Sequence, residues 1–159
     1  MEHEVYVSRE RTGLGHREAA GLIKKAAAMA LEAEGVGVPC IISVMLTDDE
    51  GIHAVNREFR NVDRATDVLS FPLNELVPGE FDPEDCERDP ETGNILLGDM
   101  MISLEHCAAQ GEEFGHGFAR EIQYLTVHSV LHLLGYDHVD EGPMKRQMRA
   151  REKAIMGDE

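Results

Sequence analysis

Three histidines near the C-terminus, His128, His132 and His138, carry the donor atoms best placed to do chemistry in this chain. His128 and His132 lie four residues apart in an apolar run. On a helix such residues share one face, about one turn apart. Gly135 comes next, and glycine readily takes the left-handed conformation that ends a helix and turns the chain back. The spacing predicts a helix bearing two imidazoles and a turn that brings His138 to them. Three neutral imidazoles leave the fourth position of a tetrahedral zinc ion open, as in a catalytic rather than a structural zinc site. One zinc ion per chain is expected.

The spacing H-x-x-x-H-x-x-G-x-x-H is similar to that of the zinc ligands in metzincin peptidases. Those enzymes place a glutamate directly after the first histidine as general base. Here that position is Ser129. The metal scaffold is expected without the peptidase base. A zinc hydrolase acting on peptides is therefore the weaker enzyme reading, because peptide hydrolysis needs a well-placed base and acid.

The elements that must position these residues can be read along the chain. Val5 and Val7 alternate with polar neighbours and predict a short first strand. Ala20, Ile23, Ala27, Ala30 and Leu31 recur at helical spacing between Arg17 and Glu34, with Gly35 and Gly37 as the stop. Val38 to Leu46 reads as a strand with little exposed face. Thr47 and Glu50 form a capping-box pattern, opening a helix with Ile52, Val55 and Phe59 on one face. Asp67 to Phe71 and Asn94 to Ile102 are further β-rich runs, the second interrupted by Gly98 and Asp99. Ser103 caps a short helix through Ala109. Gly115 and Gly117 precede the histidine helix, and Asp140 and Pro143 open a last helix. Strands mixed with helices, without regular βαβ alternation, predict an α+β fold: one domain over residues 1–159, with a small mixed sheet packed with helices. The zinc site is expected on the C-terminal histidine helix and the turn after it.

Composition narrows the function classes. A formal net charge of −16 argues against gripping nucleic acid through a broad basic face. Residues 75–91 hold eight acidic side chains against Arg88 alone, a net −7. That stretch lies in a long loop, about 74–93, read either as a mobile solvated loop or as an acidic surface that meets a basic partner. The cysteines, Cys40, Cys86 and Cys107, are odd in number and lack metal-type spacing, so a reducing cytoplasm without a disulfide framework is expected. No apolar run approaches a membrane span, and Met1 to Val5 lacks the features of a secretory signal.

The run His128-Ser129-Val130-Leu131-His132-Leu133-Leu134-Gly135-Tyr136-Asp137-His138 resembles the signature of the YbeY family of bacterial metallo-endoribonucleases. Asn56-Arg57-Glu58-Phe59-Arg60, then Thr66-Asp67-Val68-Leu69-Ser70-Phe71-Pro72, match a second motif, and Gly98-Asp99-Met100-Met101-Ile102-Ser103 a third, in the expected order. Ser129 stands where the family usually has Gly, Ala65 where it has Pro, and Phe59 where it has Tyr. None of these departures removes a ligand or a charge. The resemblance implies zinc held by His128, His132 and His138, with Arg60 as the functionally important arginine. It also implies an enzyme that cuts single-stranded RNA in maturation of the small-subunit rRNA 3′ end and in ribosome quality control. The expected partners are rRNA and the small ribosomal subunit with its basic proteins, in the cytoplasm and away from membranes. A non-catalytic, zinc-containing ribosome assembly factor is the competing reading from a different class. Two acids keep alternative readings: Asp137 orients a ligand or stabilises the turn, and Asp99 reaches the site or caps a local bend.

Overall fold

The computed structural model describes residues 3–136 and 142–157; His138, Asp137 and Asp140 lie outside them. Four strands, β1 (Glu4–Arg9), β2 (Cys40–Thr47), β3 (Val68–Pro72) and β4 (Ile95–Ser103), form one sheet in the order β1-β2-β4-β3. The first two pairings are parallel and β3 runs antiparallel to β4, so the sheet is mixed, as expected. One reading changes. β1, the helix α1 (Ala19–Ala33) and β2 make a βαβ unit that sequence alone did not reveal, because the elements after β2 break the alternation. The other helices are α2 (Asp49–Arg60), α3 (Leu104–Glu113), α4 (Gly117–Leu133) and α5 (Pro143–Met156).

The core lies between one sheet face and α1 with α4. Ile42, Val44 and Leu46 of β2 and Met100 and Ile102 of β4 point into it, against Ile23, Leu31, Leu125 and Val130. Burying each such side chain stabilises the fold by roughly 1.5–3 kcal/mol. The packed side of α1 includes Ala19, Ala26, Ala27 and Ala30, whose small side chains let it lie close to α4. Core residues of β4 fall at 95 and 97, then at 100 and 102. This change of phase comes from a register shift: Ile41 pairs with Leu96 and Ile42 with Gly98, leaving Leu97 as the extra residue of a bulge.

α2 packs on the opposite face, over the β3–β4 end. Its cap is Asp48, whose side chain accepts from the Gly51 amide at 2.9 Å. The expected cap, Thr47, instead ends β2 and donates its hydroxyl to Glu10 at 3.0 Å. Of the three residues placed on one face by their spacing, Ile52 is buried but Phe59 is 68% exposed. α2 is covered as far as Asn56; in its last turn Phe59 meets Phe71 edge-on, ring centroids 6.3 Å apart. Ser103 caps α3 by accepting from the His106 amide at 3.1 Å, and that helix runs four residues beyond Ala109. The acidic stretch between β3 and β4 contains a 3-10 turn, Pro83–Asp85, and is tied to the sheet through Asn74, which donates to the Leu96 carbonyl and accepts from the Glu87 amide.

Candidate metal centre and cleft

The histidine helix ends as its residue types predict. Gly135 has φ +106°, the Tyr136 amide donates to the Leu131 carbonyl at 3.0 Å, and the Gly135 amide to the His132 carbonyl at 3.0 Å. A side chain at 135 would run into the Leu76 carbonyl, so glycine also lets the acidic stretch close against this turn.

His128 and His132 face each other with their Nε2 atoms 3.2 Å apart. Each ring is held from behind. His128 Nδ1 donates to Glu152 of α5 at 2.5 Å, and His132 Nδ1 donates to the Tyr136 carbonyl at 2.9 Å. In neutral rings both Nε2 atoms then carry lone pairs, and two lone pairs this close repel unless a cation lies between them. Two imidazoles on one tetrahedral zinc, with bonds of about 2.0–2.1 Å, stand about 3.3 Å apart at their nitrogens. The pair fits such an ion, and its carboxylate and carbonyl partners are those that orient metal-binding histidines. Among the described residues no group of three or more His, Cys, Asp or Glu side chains converges to hold a metal.

Glu152 was not found by sequence reasoning. It is 6% exposed, and its second oxygen accepts from the Tyr124 hydroxyl at 3.0 Å. Burial first, then the Glu152 charge and its hydrogen bond, push the Tyr124 phenol well above its ordinary value, so Tyr124 stays a donor. The available signal was weak: Glu152 is the lone acid of a basic helix, four residues after the buried Met148. The contact itself spans 24 residues of sequence.

Arg60 reaches the same place from another element. It lines a cleft of about 750 Å³ with His128, His132, Gly135, Tyr136 and the edge strand β3. Asn56, the first residue of its motif, is buried and donates to the Arg64 carbonyl at 3.0 Å, fixing the turn after Arg60. Asn61 makes that turn with φ +57°. The Thr66–Pro72 motif builds the cleft wall. Its Ser70 hydroxyl meets that of Ser129 at 2.6 Å, so the residue that replaces glycine pins β3 to α4. Ser129 is fully buried and offers no base. The Asp67 carboxylate receives the Val68 amide at 2.7 Å and the Gln110 amide at 3.2 Å. Gly98 of the third motif admits close packing: a Cβ there would stand 2.7 Å from the Phe71 carbonyl and from a Leu133 methyl. Asp99 is exposed and does not line the cleft. His3, His16, His53, His106 and His116 make local contacts away from it, as with His53 on Asp63 and His106 on Asp49.

Fold and site together define a single-domain α+β protein with a metal-type imidazole pair at the end of a helix, sharing a cleft with an arginine. The chain belongs to the endoribonuclease YbeY family, whose profile matches residues 5–158. It is 50% identical over 133 residues to endoribonuclease YbeY of Clostridium kluyveri, spanning 80% of each chain. Against the endoribonuclease YbeY of Clostridium botulinum strain Loch Maree it is 46% identical over 140 residues, spanning 84% of each. The solution structure of TM1509 from Thermotoga maritima shares the fold, with a TM-score of 0.57 at 23% identity over 96% of this chain and 89% of that one.

Proposed function

We propose that this chain is a zinc-dependent endoribonuclease specific for single-stranded RNA, acting in the cytoplasm on the 3′ end of small-subunit rRNA and in ribosome quality control. Its family makes it a metal-dependent endoribonuclease, with RNA as substrate. The observation that carries the metal reading is the facing pair of Nε2 atoms, each ring having its other nitrogen committed to an oxygen. His128 and His132 would hold the ion, with His138 as the proposed third ligand. Bound zinc supplies a Lewis acid that stabilises charge developing on a phosphoryl oxygen.

The chain's own residues supply the remainder. Arg60 offers a planar, permanently charged fork for the phosphoryl oxygens, where transition-state charge collects. Glu152 and the Tyr136 carbonyl hold the two imidazoles in one tautomer and one orientation. The Ser70–Ser129 contact fixes the cleft wall relative to those rings. With zinc bound, Arg60 and the ion would outweigh Asp67 and Glu75 and make a small positive cleft in a body of net charge −16, which favours accessible, flexible strands; the acidic stretch 75–91 suits basic proteins of the small subunit.

The test is metal analysis joined to cleavage of a single-stranded RNA by the wild type, Arg60→Ala and His132→Ala, with and without chelator. The expected result is one zinc per wild-type chain, with cleavage lost on chelation and in both variants. Equal cleavage by all three proteins would overturn the reading, as would tight binding of naked duplex RNA at physiological salt.

A further inference from the structure

Amid a net charge of −16, one element is strongly basic. α5 carries Lys145, Arg146, Arg149, Arg151 and Lys153 against Glu152 alone, a net +4. These cations do not all serve one purpose. Arg151 binds Glu34 at 2.6 Å and the Ala33 carbonyl at 3.2 Å, tying α5 to the end of α1. Lys145 and Arg149, four residues apart and so on one helix face, line a recess of about 240 Å³ with Tyr124, His128, Met148 and Glu152.

His128 lines this recess and also the cleft that holds Arg60. Its imidazole is a wall shared by two cavities, one bearing Arg60 and the other bearing two cations of α5. The acid in the recess, Glu152, has both oxygens engaged by donors, one receiving His128 and the other Tyr124, and its charge is outnumbered by Lys145 and Arg149. The recess therefore combines positive charge and an aromatic wall, and it adjoins the reacting position.

We propose that this recess is a phosphate subsite: Lys145 and Arg149 hold a phosphodiester of the substrate strand next to the one presented to His128 and His132. The RNA then runs from Arg60 across the imidazole pair and onto α5. This rests on the ribonuclease reading above. It explains how an acidic protein holds a polyanion: three cations, Arg60, Lys145 and Arg149, flank one imidazole pair.

The experiment measures binding of a fully 2′-O-methylated single-stranded RNA, checked to stay intact through the assay, to the zinc-loaded wild type and to Lys145→Gln/Arg149→Gln across a salt series. A parallel assay follows cleavage of the unmodified RNA. Glutamine preserves helix propensity, and Lys145→Arg/Arg149→Lys keeps the charges should the first variant fold poorly. The plot of log affinity against log salt should become shallower by about 1.4, and affinity should fall about tenfold near 0.15 M salt, as for two lost single-strand phosphate contacts. The charge-preserving variant should keep the wild-type slope. A control with the same net charge change, Lys24→Gln/Arg146→Gln on exposed positions outside the recess, should also match the wild type. An unchanged slope in Lys145→Gln/Arg149→Gln, alongside normal wild-type cleavage, would overturn the subsite and leave the ribonuclease standing. An equal change in the control would overturn it too, reducing the effect to overall charge. Absence of wild-type cleavage would instead overturn the ribonuclease reading itself.

Discussion

Each imidazole of the pair depends on a partner that holds its far nitrogen. For His132 that partner is a backbone carbonyl of the next turn, which no substitution removes. For His128 it is the Glu152 side chain, which can be tested. Glu152→Gln should keep the fold and weaken zinc binding about 10–100-fold, read by competition with a chromophoric chelator. Wild-type zinc affinity in this variant would show that Glu152 serves only packing. Arg60 calls for a different comparison. Arg60→Ala should lower kcat by about 10²-fold or more with zinc content unchanged. Arg60→Lys should recover little of that loss, because an ammonium cannot reproduce the planar fork. Full activity in the lysine variant would mean that charge alone suffices.

The cleft exists because three elements are fixed to one another: β3, β4 and α4. The Ser70–Ser129 hydrogen bond joins the first to the third, and Gly98 lets all three approach. Ser129→Gly restores the residue usual in the family but deletes a buried hydrogen bond and adds helix flexibility. It should cost about 1–2 kcal/mol, visible as a lower urea midpoint with zinc affinity retained. A variant as stable as the wild type would remove this hydrogen bond from the account of the cleft wall. The α2 helix shows how tertiary context overrides a periodic pattern. Ile52, Val55 and Phe59 share a helical stripe, yet in the last turn of α2 Phe59 emerges at the edge, beside Phe71 of the edge strand β3. At the other end of the helix, Asp48 rather than Thr47 takes the cap, because Thr47 is still engaged in the final pairing of β2.

The whole molecule buries groups that must stay neutral. Burial is the main cause that pushes the Cys40 and Cys107 thiols up to about 12, and burial followed by the hydrogen bond to Glu34 raises the Tyr136 phenol to about 12. Each proton is held more tightly in the folded chain than in the unfolded one. The resulting stability is fully present below about pH 8.5 for the thiols and about pH 10 for the phenol, their ordinary values. It is lost as pH rises toward 12. A series of Tm values from pH 8 to 11.5 should fall progressively in the upper half of that range. A flat profile would show that these groups ionise without opposing the fold. Charge is also distributed at this scale: a net −7 over residues 75–91 contrasts with a net +4 on α5, in a chain with no described helix long and apolar enough to cross a membrane.

Local chemistry was legible in the chain itself. The i, i+4 histidines, the glycine that ends their helix, the strand runs and the motif order all act through neighbours a few residues apart, and for these periodicity and backbone preference suffice. Long-range contacts were not legible, because they depend on which faces meet. The sequence contained Glu152 and Tyr124 without indicating that they stand behind His128, and Ser129 without indicating its bond to Ser70. It recorded five cations in the last helix without indicating that two of them share a recess with a metal-type histidine. Those juxtapositions arise only when α4 and α5 pack together and β3 closes the sheet edge, since hydrophobic burial fixes the elements and the polar partners are set by where those elements come to rest.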